Sequence, residues 1–316
     1  MGKVSNNQII DEILRLGSKC NFNCLFCNVF NHENPPELSF EEAKRKLEKL
    51  AREHPYISIS GGEPLLYSYL EDLIRVGTRM GVFLNLQTNA SLVTEKKAKN
   101  LKNAGLEQAF VNFPSHDPEI FAKITSTSRR MFRRVVSGIR ALIDVGVKVA
   151  LNLVVNEWNY RAIREYVYFV KENFPEVKVI NYSVIQPHGN ARINSYLVPD
   201  YREIKPYIAE GVKEARKLGF MIDNPFCGLP ICMAPVHDET LNSEVRAGME
   251  ARRTLKIPHP LTRVLRSKIH TPSCYRCYMK NFCGGVWKAY YEIKGDVVEP
   301  PYEVLRYWPT SAPPNF

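Results

Sequence analysis

Cys20-Asn21-Phe22-Asn23-Cys24-Leu25-Phe26-Cys27 decides how this chain reads. Three cysteines at C-x3-C-x2-C stand in a loop directly after the first apolar stretch, Glu12 to Leu16, and no fourth cysteine lies within the next twenty residues. Cysteine thiolates are the usual ligands of iron–sulfur clusters. Three of them hold three corners of a four-iron cube and leave one iron open. An open coordination position separates a reactive metal site from a closed structural one, by the logic that also applies to zinc.

Working outward from that loop, short β-rich runs alternate with longer helical patterns up to about Gly219. The runs are Glu12 to Leu16, Tyr56 to Ser60, Val82 to Gln87, Ala109 to Phe113, Val147 to Val155 and Val177 to Ile185. Such alternation argues for βα units and a parallel sheet. Helix starts fall between the runs. Ser39 with Glu42 is a capping box opening a helix from Phe40 to about Glu53. Thr94 caps the next helix, Asp117 before Pro118 caps another, and Arg133 to Val145 and Arg161 to Asn173 complete the set. The expected fold is α/β, a partial (β/α)6 TIM-like barrel over residues 1–219, with its functional loops after the C-terminal ends of the strands. After Gly219 prolines cluster and a second cysteine group appears, so 220–316 reads as a small, loop-rich domain that a metal could staple.

Length and composition agree with a folded protein: 316 residues, 45% hydrophobic and 24% charged, are enough to bury a large core. No run is long enough to cross a bilayer, and Met1 to Ile10 carries no apolar signal core, so a cytoplasmic protein without membrane attachment is expected. Eight cysteines in two groups fit metal ligation in a reducing compartment better than a disulfide framework. The net charge of +10 has two readings, an anionic partner such as nucleic acid or an ordinary solvated Lys/Glu surface, and charge alone speaks to neither site nor substrate.

The second group is Cys274, Cys277 and Cys283, spaced C-x2-C-x5-C, followed by an aromatic helical stretch around Trp287, Tyr290 and Tyr291. Upstream stand Asn224-Pro225-Phe226-Cys227 and Cys232. Four thiolates also suit a structural zinc, here at Cys227, Cys274, Cys277 and Cys283.

Taken together, C-x3-C-x-Phe26-Cys27, Gly61-Gly62-Glu63-Pro64 after the second run and Gln87-Thr88-Asn89 after the third resemble the radical S-adenosylmethionine (SAM) superfamily from about Glu12 to Gly219. A motif gains weight when its structural context recurs with it, and these arrive in order at successive predicted strand ends. The resemblance implies that Cys20, Cys24 and Cys27 hold a 4Fe-4S cluster whose open iron takes the amino and carboxylate groups of SAM. Phe26 would pack near the adenine, and the Gly61-Gly62-Glu63-Pro64 turn would offer backbone groups to the methionine ammonium at a distance only glycine permits. Reductive cleavage of SAM then yields a 5′-deoxyadenosyl radical that abstracts hydrogen from substrate, and the cofactor carries that chemistry. Asn89 is a further expected cofactor contact. Asn112 takes the place of a serine that helps hold the cofactor carboxylate, Lys123 is the nearest basic partner for it, and Asn152 is a candidate ribose contact. Gln186-Pro187-His188-Gly189 resembles the turn that closes over the cofactor and would put His188 at the barrel mouth.

The second cysteine group resembles the SPASM or twitch region of the same superfamily. The full SPASM pattern has a further cysteine where this chain has Trp287, which favours the shorter form with one auxiliary 4Fe-4S cluster. Cys227 is the expected fourth ligand and Cys232 its competitor. The resemblance also implies a low-potential electron donor, ferredoxin or flavodoxin, and a substrate that is a peptide, a small molecule or tRNA. Only about ten residues precede the first predicted strand, which lowers the expectation of a peptide maturase with its own leader-binding domain. For tRNA the candidate surface is Arg252, Arg253, Lys256, His259, Arg263, Arg266, Lys268 and His270 with Arg129, Arg130, Arg133 and Arg134. A rival reading from another class is a non-catalytic iron–sulfur carrier or a zinc-stabilised binding module.

Overall fold

The structure, a computed structural model, describes residues 12–28, 37–233, 267–277, 280 and 283–298, with the backbone alone at 223–227, 231 and 276. Among these, β1 (Glu12–Arg15), β2 (Tyr56–Ser60), β3 (Phe83–Thr88), β4 (Gln108–Asn112) and β5 (Lys148–Val155) pair in parallel in sequence order. Their register puts Leu14 beside Ile59, Ile59 beside Leu86, Leu86 beside Ala109 and Ala109 beside Val149. All five are buried. An apolar row running straight across the strands is what fixes register, because a one-residue slip would turn it to the other face.

With β6 (Val179–Val184) and β7 (Met221–Cys227) the sheet has seven strands in the order β1-β2-β3-β4-β5-β6-β7, the sequential order of a partial (β/α) barrel. The sequence reading expected six. The seventh falls inside the stretch read as loop, and Pro225 is the reason: proline cannot donate to a ladder and so reads as a strand breaker. The strand is last in the order, an edge position where that missing donor costs little.

Helices return the chain between strands. The Ser39/Glu42 capping box opens α1 (Phe40–Leu50), which stops three residues short of its expected end. α2 (Leu70–Arg79) left no clear start in the sequence, and its N-cap Tyr69 makes no side-chain capping bond. Thr94 caps α3 (Glu95–Ala104), and Asp117 caps α4 (Pro118–Thr125) by accepting from the N–H groups of Glu119 and Ile120. α5 (Arg129–Asp144) begins four residues before the predicted start, because Ser128 supplies the cap. α6 (Ile163–Asn173), α7 (Asn190–Ile193) and α8 (Tyr201–Lys217) follow, α8 carrying Pro206 inside it.

The chain divides into two compact units, residues 1–153 with 168–180, and residues 154–167 with 181–316. The first has an aromatic core in which Phe121 and Phe132 meet edge to face at 5.4 Å and Phe113 stacks on Phe169 at 6.0 Å. In the second, Tyr201 stacks on Tyr290 at 3.7 Å and also donates its backbone N–H to the Tyr290 hydroxyl at 3.0 Å. That contact seats α9 (Lys288–Lys294), the expected aromatic helix, which follows a small antiparallel pair, β8 (Lys268–Ile269) with β9 (Val286–Trp287).

Candidate functional site

The cysteine loop leaves β1 and is held from several sides within the first unit. Leu25 N–H donates to the Ile124 carbonyl at 2.9 Å, and the Phe22 ring meets Phe121 edge to face, so the loop lies against α4. At its base Glu37 accepts from the Ser18 and Lys19 N–H groups, at 2.8 and 3.1 Å, and from the Tyr67 hydroxyl at 2.5 Å. Burial alone would raise the Glu37 carboxyl, but these donors outweigh it and hold the group below its usual range.

The glycine turn after β2 grips the same loop through backbone. Gly62 N–H donates to the Gly17 carbonyl at 3.0 Å and Glu63 N–H to the Lys19 carbonyl at 2.7 Å. A Cβ at Gly62 would stand 2.0 Å from the Lys19 oxygen, so no other residue fits there. Gly61 has φ +145, and a Cβ there would stand 2.7 Å from the Gly17 carbonyl oxygen. The two glycines form a cradle packed directly against the backbone of the cysteine loop.

Glu63, in the same turn, buries its side chain. Its carboxylate is 0% exposed and takes three donors: the Thr88 hydroxyl at 2.7 Å, the Asn89 N–H at 2.7 Å and the Leu65 N–H at 3.1 Å. Burial raises its pKa, and the donors lower it only in part. From there the network continues outward. Asn89 donates Nδ2 to Asn21 Oδ1 at 2.9 Å, Asn21 donates Nδ2 to the Ser91 hydroxyl at 2.8 Å, and Ser91 donates back to Asn89 Oδ1 at 2.6 Å. The loops after β1, β2 and β3 are thereby tied into one polar network. Sequence reasoning missed Asn21, Ser91, Glu37 and Tyr67, since single polar residues in loops carry no spacing signal.

At the centre stand the thiols. Cys20 Sγ accepts from the Phe22 N–H at 3.4 Å and lies 4.0 Å from Asn89 Nδ2. Burial, then the neighbouring Cys27 and Cys20, push the Cys24 thiol well up. Three thiols on one short loop suit a multivalent cation, whose charge favours their thiolate form. Phe26 lies in the turn between Cys24 and Cys27, partly exposed. Asn112 and Asn152 are register partners on β4 and β5, and Asn112 Oδ1 is buried with no hydrogen-bond partner. Pro64 is buried at the start of a 3₁₀ turn, and Lys123 is exposed on α4. The donor set, the cradle and the orphan acceptor fit an iron–sulfur cluster with a small polar cofactor.

In the second unit Cys232, Cys274, Cys277 and Cys283 line one small pocket, with Pro230, His270, Lys280 and Val298. His270 Nε2 lies 2.8 Å from the Cys283 carbonyl and Gly285 N–H donates to Cys283 Sγ at 3.3 Å. Cys227 ends β7, and its side chain lies outside the described residues. His188 is half-buried, edge-on to Trp287 at 5.2 Å, and burial followed by Arg192 lowers its pKa. Of the basic stretch, Arg252 to Arg266 lies outside the described residues. Lys268 is 7% exposed with its ammonium 4.6 Å over the Trp287 ring, and His270 faces the cavity, so neither belongs to an open basic surface. Among the described residues no helix is long and apolar enough to cross a membrane.

Comparison with known proteins agrees with the geometry. Residues 14–170 match the Radical SAM superfamily. A probable GTP 3′,8-cyclase of Saccharolobus islandicus (strain Y.N.15.51 / Yellowstone #2) is 31% identical over 201 residues, 63% of this chain and 64% of that protein. The chain thus spans less than two thirds of the curated relative's length. A probable GTP 3′,8-cyclase of Pyrobaculum aerophilum is 30% identical over 154 residues, 44% of this chain and 46% of that one. In fold, Streptococcus suis SuiB bound to S-adenosylmethionine is similar with a TM-score of 0.63 at 16% identity, over 89% of this chain and 73% of that chain. Through residues 14–170, with their cysteine loop, glycine cradle and parallel strands, this chain belongs to the radical SAM superfamily of enzymes.

Proposed function

We propose that the chain is a radical SAM enzyme that binds SAM at a 4Fe-4S cluster on Cys20, Cys24 and Cys27 and removes hydrogen from a substrate not yet identified. The observation that carries this reading is the thiol loop clamped to a glycine cradle, with Gly62 too close to the Lys19 carbonyl for any side chain. When bound and reduced by one electron, SAM supplies a 5′-deoxyadenosyl radical; the electron would come from a low-potential ferredoxin or flavodoxin.

The chain's own residues supply position. Gly61 and Gly62 bring backbone against the cofactor, and Glu63 keeps that turn in place through Thr88 and Asn89. Asn112 and Asn152, register partners on neighbouring strands, would help hold the cofactor, Phe26 would pack near the adenine, and Lys123 is a candidate partner for the carboxylate. His188 is assigned to the substrate side, where burial and then Arg192 lower its pKa and favour the neutral imidazole. Residues 220–316 form the auxiliary region, with one further 4Fe-4S cluster. The substrate is a peptide, a small molecule or tRNA, and the name of the sequence relatives makes GTP the first small molecule to try.

The test is anaerobic reconstitution, reduction with dithionite and chromatography for 5′-deoxyadenosine. The wild-type chain is expected to form it from SAM and Cys24→Ala to lose it by a hundredfold or more, as removal of an essential cofactor ligand should. A chain loaded with about eight irons that forms none would sink the reading.

A further inference from the structure

We infer that the exposed face of α5 formed by Arg130, Arg133 and Arg134 is the docking surface for a small acidic electron-carrier protein that reduces the cluster proposed on Cys20, Cys24 and Cys27. The inference rests on the proposed radical SAM reading for the need of an electron; the choice of surface rests on charge and position within the first unit.

Arg130, Arg133, Arg134 and Ser137 recur at i, i+3, i+4 and i+7 and are all exposed, whereas Phe132, Val135, Ile139 and Leu142 on the other side of the helix are buried. The arginines therefore point out of the helix layer and away from the sheet. Arg129 is paired with Glu119 and Arg140 with Glu176, but among the described residues Arg130, Arg133 and Arg134 pair with no carboxylate. Like charges at this spacing repel, and these stand in the first two turns, where the helix end is itself positive and no acidic residue accompanies them. Helix stability alone favours the opposite choice. An approaching acidic surface relieves both costs.

Position selects the partner. Ile124, whose carbonyl takes the Leu25 N–H at 2.9 Å between Cys24 and Cys27, lies at the end of α4, just before α5 begins. Further along α5, a Cβ at Gly138 would stand 2.1 Å from the Ala90 carbonyl oxygen, so the helix packs on the loop after β3. The neighbour of Ala90 in that loop, Asn89, has Nδ2 4.0 Å from Cys20 Sγ. α5 is thus seated on elements that carry the first site, and because helices between parallel strands run back against them, its basic end lies at the end of the sheet where the cysteine loop lies. An electron needs a short path and no opening into the barrel, which suits a carrier resting outside the helix layer. A nucleic-acid substrate would have to bring a base to the strand ends, and this face offers no aromatic ring for a base to stack on. The transfer moves one electron from the reduced carrier to the cluster and makes or breaks no bond.

The experiment uses the full reconstituted chain and, as probe, an acidic two-cluster ferredoxin. Calorimetric titration should show binding that weakens as salt rises, because exposed charges are screened. Arg130→Glu combined with Arg133→Glu and Arg134→Glu should weaken binding about tenfold or more and slow reduction by ferredoxin to the same degree, read by stopped-flow absorbance. Reduction by dithionite, which needs no docking, should stay within about twofold of the wild type, as should the 5′-deoxyadenosine formed with it. The matched control, Arg45→Glu with Lys49→Glu and Arg52→Glu, makes the same charge change at exposed positions along α1 and just past its C-terminal end, and should leave ferredoxin binding within about twofold. Equal loss in the control would reduce the effect to net charge and overturn the inference, as would a wild type that binds no ferredoxin or an α5 variant that binds it normally. Binding of a purified tRNA pool that the α5 variant loses while it keeps ferredoxin assigns the face to nucleic acid instead. Because three charge reversals can unsettle a helix, Arg130→Gln with Arg133→Gln and Arg134→Gln is the second variant: binding should fall about threefold or more with an unchanged circular dichroism spectrum and Tm, and unchanged binding there also overturns the inference. A wild type that forms no 5′-deoxyadenosine with dithionite counts against the radical SAM reading, whereas the titration reports on the surface by itself.

Discussion

Cys20, Cys24 and Cys27 come from eight consecutive residues and lie on a loop that the protein holds by itself, through Glu37, Gly62, Glu63, Asn89 and Ile124. Cys232, Cys274, Cys277 and Cys283 line one pocket from separate stretches, Cys232 on a 3₁₀ turn beside α8 and the others around a two-residue strand pair and a 3₁₀ turn. The difference teaches where each site gets its order. In the first, hydrogen bonds and packing hold the loop that carries the thiols. In the second, the thiols come from separate stretches, and the proposed cluster would supply the cross-link between them, coupling metal binding to folding.

The largest expected effect follows from that contrast. Stripping iron with a chelator should leave the strands β1 to β5 resistant to limited proteolysis and make 267–298 the first region cut, read by mass spectrometry of the fragments. Equal resistance of both regions would break the comparison, since the second site would then be preformed as well.

A smaller effect probes the first site's independence of metal. Glu63→Ala removes the acceptor for three buried donors, and each unsatisfied group costs about 1–3 kcal/mol. The chain without iron should therefore lose several degrees in Tm, whereas Glu63→Gln, which keeps one acceptor oxygen, should lose less. If both variants melt with the wild type, the clamp between the loops after β2 and β3 holds nothing.

The smallest effect concerns the base of the loop. The Glu37 carboxyl titrates below its usual 4.5 in the folded chain, held there by Tyr67, Ser18 and Lys19 against the opposing effect of burial. Below that value the unfolded chain binds more protons, so the Glu37 contribution is complete above about pH 4.5 and is lost as pH falls through the folded pKa. Thermal melts between about pH 3 and 6 should show a shallower loss for Glu37→Gln than for the wild type.

Much of the first site was legible because its chemistry is local. Thiols at fixed spacing, and two glycines ahead of a buried acid, are visible as strings. The network that ties them was not, because Asn21, Asn89 and Ser91 meet only when β1 and β3 stand with β2 between them. The strand β7 escaped for a related reason: Pro225 reads as a breaker unless its strand is known to be an edge. α2 escaped because Tyr69 at its start makes no capping bond for a sequence to announce.

Sequence by itself determined the alternation of strands and helices, the thiol loop and its glycine partner, since periodicity, capping chemistry and ligand spacing act over a few residues. Tertiary structure alone decided two matters that depend on which distant residues share a space. It turned Glu63 inward, where three donors take up its carboxylate. It also set Cys232 at the wall of the second cavity, beside thiols more than forty positions away in the chain, a neighbourhood that spacing cannot encode.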